Sequence, residues 1–67
     1  MEAKTSRSTR KNIVASIKDE KDDINEYSKA AKMARKIGDK RAAITFRSIE
    51  KDEKEHMSRL KKLKNRY

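Results

Sequence analysis

Two apolar stripes, parted by the chain's only glycine, constrain the fold more than any other feature of this sequence. Ile13, Ile17, Glu20, Ile24, Tyr27, Ala31 and Ala34 follow one another at steps alternating between four and three. Past Gly38, the residues Ala42, Phe46, Ile49, Glu53, His56, Leu60, Leu63 and Tyr67 repeat that alternation. Such spacing is the seam of a helix packed lengthwise on a partner. Val14, Ala30 and Met33 widen the first stripe, Ile37 extends it, and Ala43 and Met57 flank the second. The pattern predicts an all-α chain: one antiparallel two-helix hairpin over 1–67, with helices over about 9–37 and about 40–66.

The stop between the helices has a mechanism. Gly38 can take the left-handed conformation that ends a helix at little steric cost. Asp39 follows at once and suits the N-cap of a second helix. A loop of about two residues makes the helices antiparallel neighbours. Before Ile13, Met1 to Ser8 are polar and patternless, so an arm or a late-starting helix is expected there, with Ser6 or Ser8 as its cap.

Composition leaves the hairpin short of core. Leu, Ile, Val and Phe number ten of 67 residues, below the level of roughly 20% that, with high net charge, accompanies disorder. Ala, Glu, Lys, Leu and Arg make up 35 of the 67. With helical periodicity, that profile belongs to long helices or a coiled coil. Cysteine is absent, so neither a disulfide nor a thiolate metal site can brace the fold. No apolar run approaches the roughly 18–20 residues that span a membrane. A soluble cytoplasmic protein without a membrane partner is expected. A lone hairpin leaves part of its apolar stripe in water, whereas two hairpins face to face form a four-helix bundle. A symmetric homodimer is the smallest closed solution, with a higher oligomer as the alternative.

Three residues break the apolar rule of the seams: Glu20 in the first, Glu53 and His56 in the second. Counted from the turn, Glu20 lies about 1.5 Å along the axis from the level of His56 and about 6 Å from that of Glu53. Uncompensated carboxylates in an apolar seam are costly, so a shared purpose is indicated, and metal ligation supplies one. A two-fold dimer gathers four Glu and two His, the donor inventory of ferritin-like di-iron bundles. Hard carboxylates with a few imidazoles suit iron, with manganese the alternative. Glu50, three residues before Glu53, and Asp23, three after Glu20, are reserve ligands. Glu50 and Glu55 lie off the stripe and are expected to face solvent. Met33 and Met57 read as packing residues, and Tyr27 as a core aromatic with a wet hydroxyl.

The stretches Ile17-Lys18-Asp19-Glu20, Glu26-Tyr27 and Phe46-Arg47-Ser48-Ile49-Glu50-Lys51-Asp52-Glu53-Lys54-Glu55-His56 resemble the first two helices of rubrerythrin and related ferritin-like proteins. The chain is also similar to the short encapsulated ferritins, whose two-helix subunits complete a di-iron site by dimerising. The resemblance spans about residues 13–63. It implies two irons per dimer, Glu20 as terminal ligand, Glu53 as bridging ligand and His56 as imidazole ligand. It further implies that Asp52 orients a ligand His and that Tyr27 hydrogen-bonds a ligand carboxylate, both from outside the metal's own ligand set. Oxidation of Fe(II), as a ferroxidase, or scavenging of peroxide would follow. Full-length rubrerythrins carry four helices in one chain and a cysteine-rich electron-transfer domain. Two helices without cysteine imply a separate redox partner. The basic run Lys61 to Tyr67 does not resemble a capsule-targeting peptide.

The charge permits other classes. The formal net charge is +9. Residues 1–12 hold one acid and four bases, and residues 58–67 hold five bases and no acid. An antiparallel hairpin brings both segments to one pole, which suits nucleic acid bound nonspecifically or another polyanion. A basic hairpin that binds nucleic acid is therefore a second reading. A third is a structural or adaptor hairpin without metal, whose polar seam sets helix register.

Overall fold

The computed structural model describes residues 2–67, with side chains from Arg7 onward. Two helices make up the fold: α1 over Glu2–Lys36 and α2 over Lys40–Lys64. They pack side by side as an antiparallel hairpin, a rod of 55 × 14 × 12 Å. No strand occurs among the described residues.

The turn follows from its two central residues. Gly38 takes φ +83°, while Asp39 N–H donates to the Ala34 carbonyl at 2.8 Å and Gly38 N–H to that of Arg35 at 3.1 Å. This paired pattern satisfies carbonyls that the end of α1 leaves free. Asp39 Oδ1 then accepts from the Ala42 N–H at 3.0 Å and caps α2. A Cβ on Gly38 would meet nothing within 4 Å, so Gly38→Ala has only the backbone cost to bear. That cost is about 1–2 kcal/mol, and thermal unfolding should show the corresponding loss without a change in helix content.

Helix α1 begins at Glu2, not near residue 9. It runs through Ser6 and Ser8, so neither is its cap; Met1 lies outside the described residues. The segment 2–8 has no glycine or proline and includes Glu, Ala, Lys and Arg, all good helix formers. A helix already nucleated downstream propagates readily through such residues. Seam counting could not register it, because Ala3 is the only apolar residue of that segment. Helix α2 ends at Lys64, and its last carbonyls accept from the N–H groups of Asn65, Arg66 and Tyr67.

The core is thin. Ile13, Ile24, Ala31 and Ala34 are buried, and among the described residues no large side chain is fully enclosed. Tyr27 sets its ring against Phe46 across the hairpin, with centroids 6.3 Å apart. Met33, Ile37 and Ile44 stay well exposed, and Leu63 and Tyr67 partly so.

The strict seam of α2 also drifts. Its most buried side chain is Glu50, 7% exposed, whereas His56, Leu63 and Tyr67 are exposed. A straight helix turns about 20° per heptad away from a seven-residue repeat. The later seam positions therefore rotate off the α1 contact, and Glu50 lies inside with Ala43, Phe46 and Met57. The expectation that Glu50 faces solvent is overturned; Glu55 is exposed as expected.

Burial of Glu50 is offset by two cations one turn away on either side. Arg47 Nη1 donates to Oε1 at 2.8 Å, and Lys54 Nζ lies 3.5 Å from Oε2. The Arg47 hydrogen bond, opposed by burial and aided by the charge of Lys54, holds this carboxyl below the ordinary glutamate value. Breaking such a pair from one side leaves a buried charge unmatched, whereas replacing the acid with an apolar group does not. Arg47→Ala should accordingly lower the melting temperature more than Glu50→Leu does, as circular dichroism would show.

Candidate metal centre

Midway along the rod, the hairpin brings together the three residues that interrupt its seams. One donor atom each from Glu20, Glu53 and His56 lies within 4.8 Å of the others. Glu20 comes from the centre of α1; Glu53 and His56 come from successive turns of α2. Packing across the short turn fixes their common height. His56 Nδ1 is 3.5 Å from Glu53 Oε1, so this ring nitrogen and this carboxylate oxygen point into one space. Glu20 and Glu53 are half-buried and His56 is exposed. An open cleft of about 370 Å³, lined by Ser16, Glu20, His56, Arg59, Leu60 and Leu63, gives onto them.

The electrostatics are those of crowded acids short of positive charge. Glu20 Oε2 is shut off from solvent and has no hydrogen-bond partner. The pKa of Glu20 is raised, first because its proton can be shared with Glu53, then by burial and by repulsion from Glu53; His56 opposes this and Asp23 adds to it. Asp23 is raised too, by burial first and then by Glu53 and nearby acids. Glu20 and Glu50 impose opposite pH dependences. A raised folded pKa means the native state holds the proton more tightly, so Glu20's contribution is full below its ordinary value of 4.5 and is lost as pH rises through the raised value. Glu50's contribution is present above 4.5 and is lost as pH falls through its lowered value. With chelator present, Glu20→Gln should therefore flatten the loss of stability on the alkaline side and leave the acid side intact. Melting curves at a series of pH values would read both limbs.

The donor set fits a hard cation. Two carboxylates and an imidazole converge, one carboxylate oxygen is buried without a donor, and no lysine or arginine pairs with Glu20 or Glu53 among the described residues. Carboxylates and imidazole are ligands suited to iron and manganese.

The remaining candidates stand apart. Asp52 is exposed and makes no hydrogen bond to His56 among the described residues. The Tyr27 ring packs on Phe46, and its hydroxyl makes no hydrogen bond to a carboxylate among the described residues. Asp23 is half-buried beside the cluster but outside the converging three. Glu50 and His56, six residues apart, diverge by about 120° around α2, and Glu50 is occupied by Arg47 and Lys54. Sequence reading missed that neutralisation, although Arg47 and Lys54 at three before and four after Glu50 were its visible sign.

A family model described as Rubrerythrin matches residues 2–64. No curated protein and no solved structure matches the chain significantly. The match covers nearly the whole hairpin, from the helix that carries Glu20 through the turn that carries His56, and the chain belongs to the rubrerythrin family.

Proposed function

We propose that this chain is a metal-binding half-bundle: two hairpins pair, and Glu20, Glu53 and His56 of both hold two irons between them. The observation that carries the reading is the convergence of these three side chains within 4.8 Å, with a buried Glu20 oxygen left without a donor. One hairpin offers three such residues and leaves the cleft beside them open. A second copy closes the cleft and doubles the donors.

Exposed apolar surface supports the pairing. A hairpin with four buried apolar residues among those described has little to hold it alone. The pairing runs end to end in opposite senses, turn beside termini. Glu20 sits near the middle of α1, so a two-fold axis across the rod superposes the two sites. It also keeps the two basic poles apart, where parallel pairing would crowd like charges.

Within the paired bundle the protein residues have separable roles. Glu20 and Glu53, deprotonated, hold the cations and offset their mutual repulsion. His56 supplies a neutral imidazole whose direction is set by its place one turn after Glu53. Leu60 and Leu63 shield the cleft from bulk water. Bound iron supplies the electrons that oxygen or peroxide accepts, so the activity is Fe(II) oxidation or peroxide scavenging. Manganese is the alternative metal, and electrons for repeated turnover come from a separate redox partner. Burial and Glu53 make Glu20 hold a proton more tightly than a free glutamate does, and metal has to displace it, so uptake on the acid side is coupled to proton release. Titrating Fe(II) anaerobically in weak buffer should show proton release together with binding, and Glu20→Gln should remove both. Binding without proton release would contradict the assigned role of Glu20.

A further inference from the structure

All of the chain's net charge sits at one end of the rod. Residues 19–55, from the level of the metal cluster to the turn, hold ten acids and ten bases. The excess lies beyond them, on two segments that the fold lays side by side. On α1 these are the exposed Arg7, Arg10, Lys11 and Lys18; between Arg7 and Lys18 there is no acid. On α2 and just past it they are the exposed Arg59, Lys61, Lys62, Lys64 and Arg66, again with no acid after Glu55. Arg10 Nη1 donates to the Tyr67 backbone oxygen at 3.1 Å, which locks the start of one segment to the end of the other.

Helix electrostatics explain only half of this pole. Lys61, Lys62 and Lys64 occupy the last turn of α2, where cations complement the helix dipole. Arg7, Arg10 and Lys11 lie in the opening turns of α1, where the dipole does not favour cations. They also stand beside like charges of α2, which costs stability. Among the described residues, no ion pair involves them. Like charge concentrated against its own stability calls for an anion supplied from outside.

We propose that this pole binds the phosphate backbone of duplex nucleic acid, without sequence preference. The basic residues line two neighbouring helices over roughly 15–20 Å, while a duplex presents a phosphate charge about every 1.7 Å of its axis. A linear, densely charged polyanion matches that length; a single small anion engages only one or two of the side chains. Only two amides, Asn12 and Asn65, stand among the described basic residues, and the one aromatic there, Tyr67, follows the last of them, so the pole has no array of side chains to read base edges. The inference is independent of metal binding.

The test uses the full chain and a fluorescently labelled random-sequence duplex of about 30 base pairs, followed by anisotropy between about 50 and 200 mM KCl. With about four phosphates engaged, the log–log salt slope should lie near −4. The variant Lys61→Gln/Lys62→Gln/Lys64→Gln should bind at least 10-fold more weakly and lose two to three from the slope. The control Lys21→Gln/Lys29→Gln/Lys51→Gln carries the same net charge but changes the neutral middle, and should bind like the parent. Circular dichroism checks that both variants fold. Undetectable binding at low salt, equal weakening in both variants, or retention of an acidic protein in place of DNA would overturn the proposal.

Discussion

Glu53→Ala is expected to abolish iron binding while leaving the metal-free hairpin folded. The side chain is half-buried between Glu20 and His56 and supplies one of the converging donors. In a two-fold bundle its loss removes two carboxylates from one centre. Changing a residue that merely orients a ligand costs 10- to 100-fold in affinity, so deleting the ligand should cost more than about 100-fold. Stability of the metal-free protein should move the other way. Glu53 is the first cause of the raised Glu20 pKa and repels it as well, so its removal relieves crowding, and the melting temperature with chelator should hold or rise. A loss of iron accompanied by a rise in metal-free stability is hard to produce by misfolding. Glu50→Gln, which alters a carboxylate already paired with Arg47 and Lys54, should keep its iron. Metal analysis after gel filtration, with melting curves on the same samples, reads all of these outcomes.

The second large effect concerns ownership of the site. Leu63 is 40% exposed in the hairpin and lines the cleft beside Glu20 and His56. In the proposed bundle it is covered by the partner. Covering what is left exposed of this leucine contributes about 1 kcal/mol, and the two-fold counts it twice. With the buried charge adding to the loss, Leu63→Glu should therefore weaken dimerisation by at least about 100-fold. Sedimentation equilibrium should show a monomer, and iron binding should fall with it although no ligand has changed. Ile44→Glu alters a residue that is more exposed, at 71%, and that does not line the cleft; it should leave both mass and iron unchanged. A wild-type chain that is monomeric yet fully loaded with iron would show that one hairpin suffices.

Much of the hairpin was legible because its determinants are local. Gly38 and Asp39 specify the turn chemically, and the alternation through Ile13, Ile24, Ala31 and Ala34 marks the contact face of α1. The height of Glu20 against Glu53 and His56 followed from counting residues back from the turn, since a short turn leaves almost no freedom of register. Two features resisted. Residues 2–8 include a single apolar residue, Ala3, so nothing in their pattern announces a helix. Glu50 resisted because a strict heptad is an idealisation: helical drift carried His56 and Leu63 outward and Glu50 inward. The outward turn of His56 leaves its ring exposed at the edge of the cluster. The positions of Asp52 and Tyr27 depend on contacts beyond a single helix face, which spacing does not specify. Family membership rests on the match over residues 2–64, which agrees with the resemblance read from the Glu-x-x-His turn and the stretch around Glu20.

The most direct test is diffraction from crystals grown with Fe(II), measured on both sides of the iron absorption edge. The account predicts two anomalous peaks per pair of chains, lying between Glu20, Glu53 and His56 of the two hairpins. Absence of peaks there in iron-soaked crystals, or peaks beside Asp23 or Glu50 within a single hairpin, would contradict it.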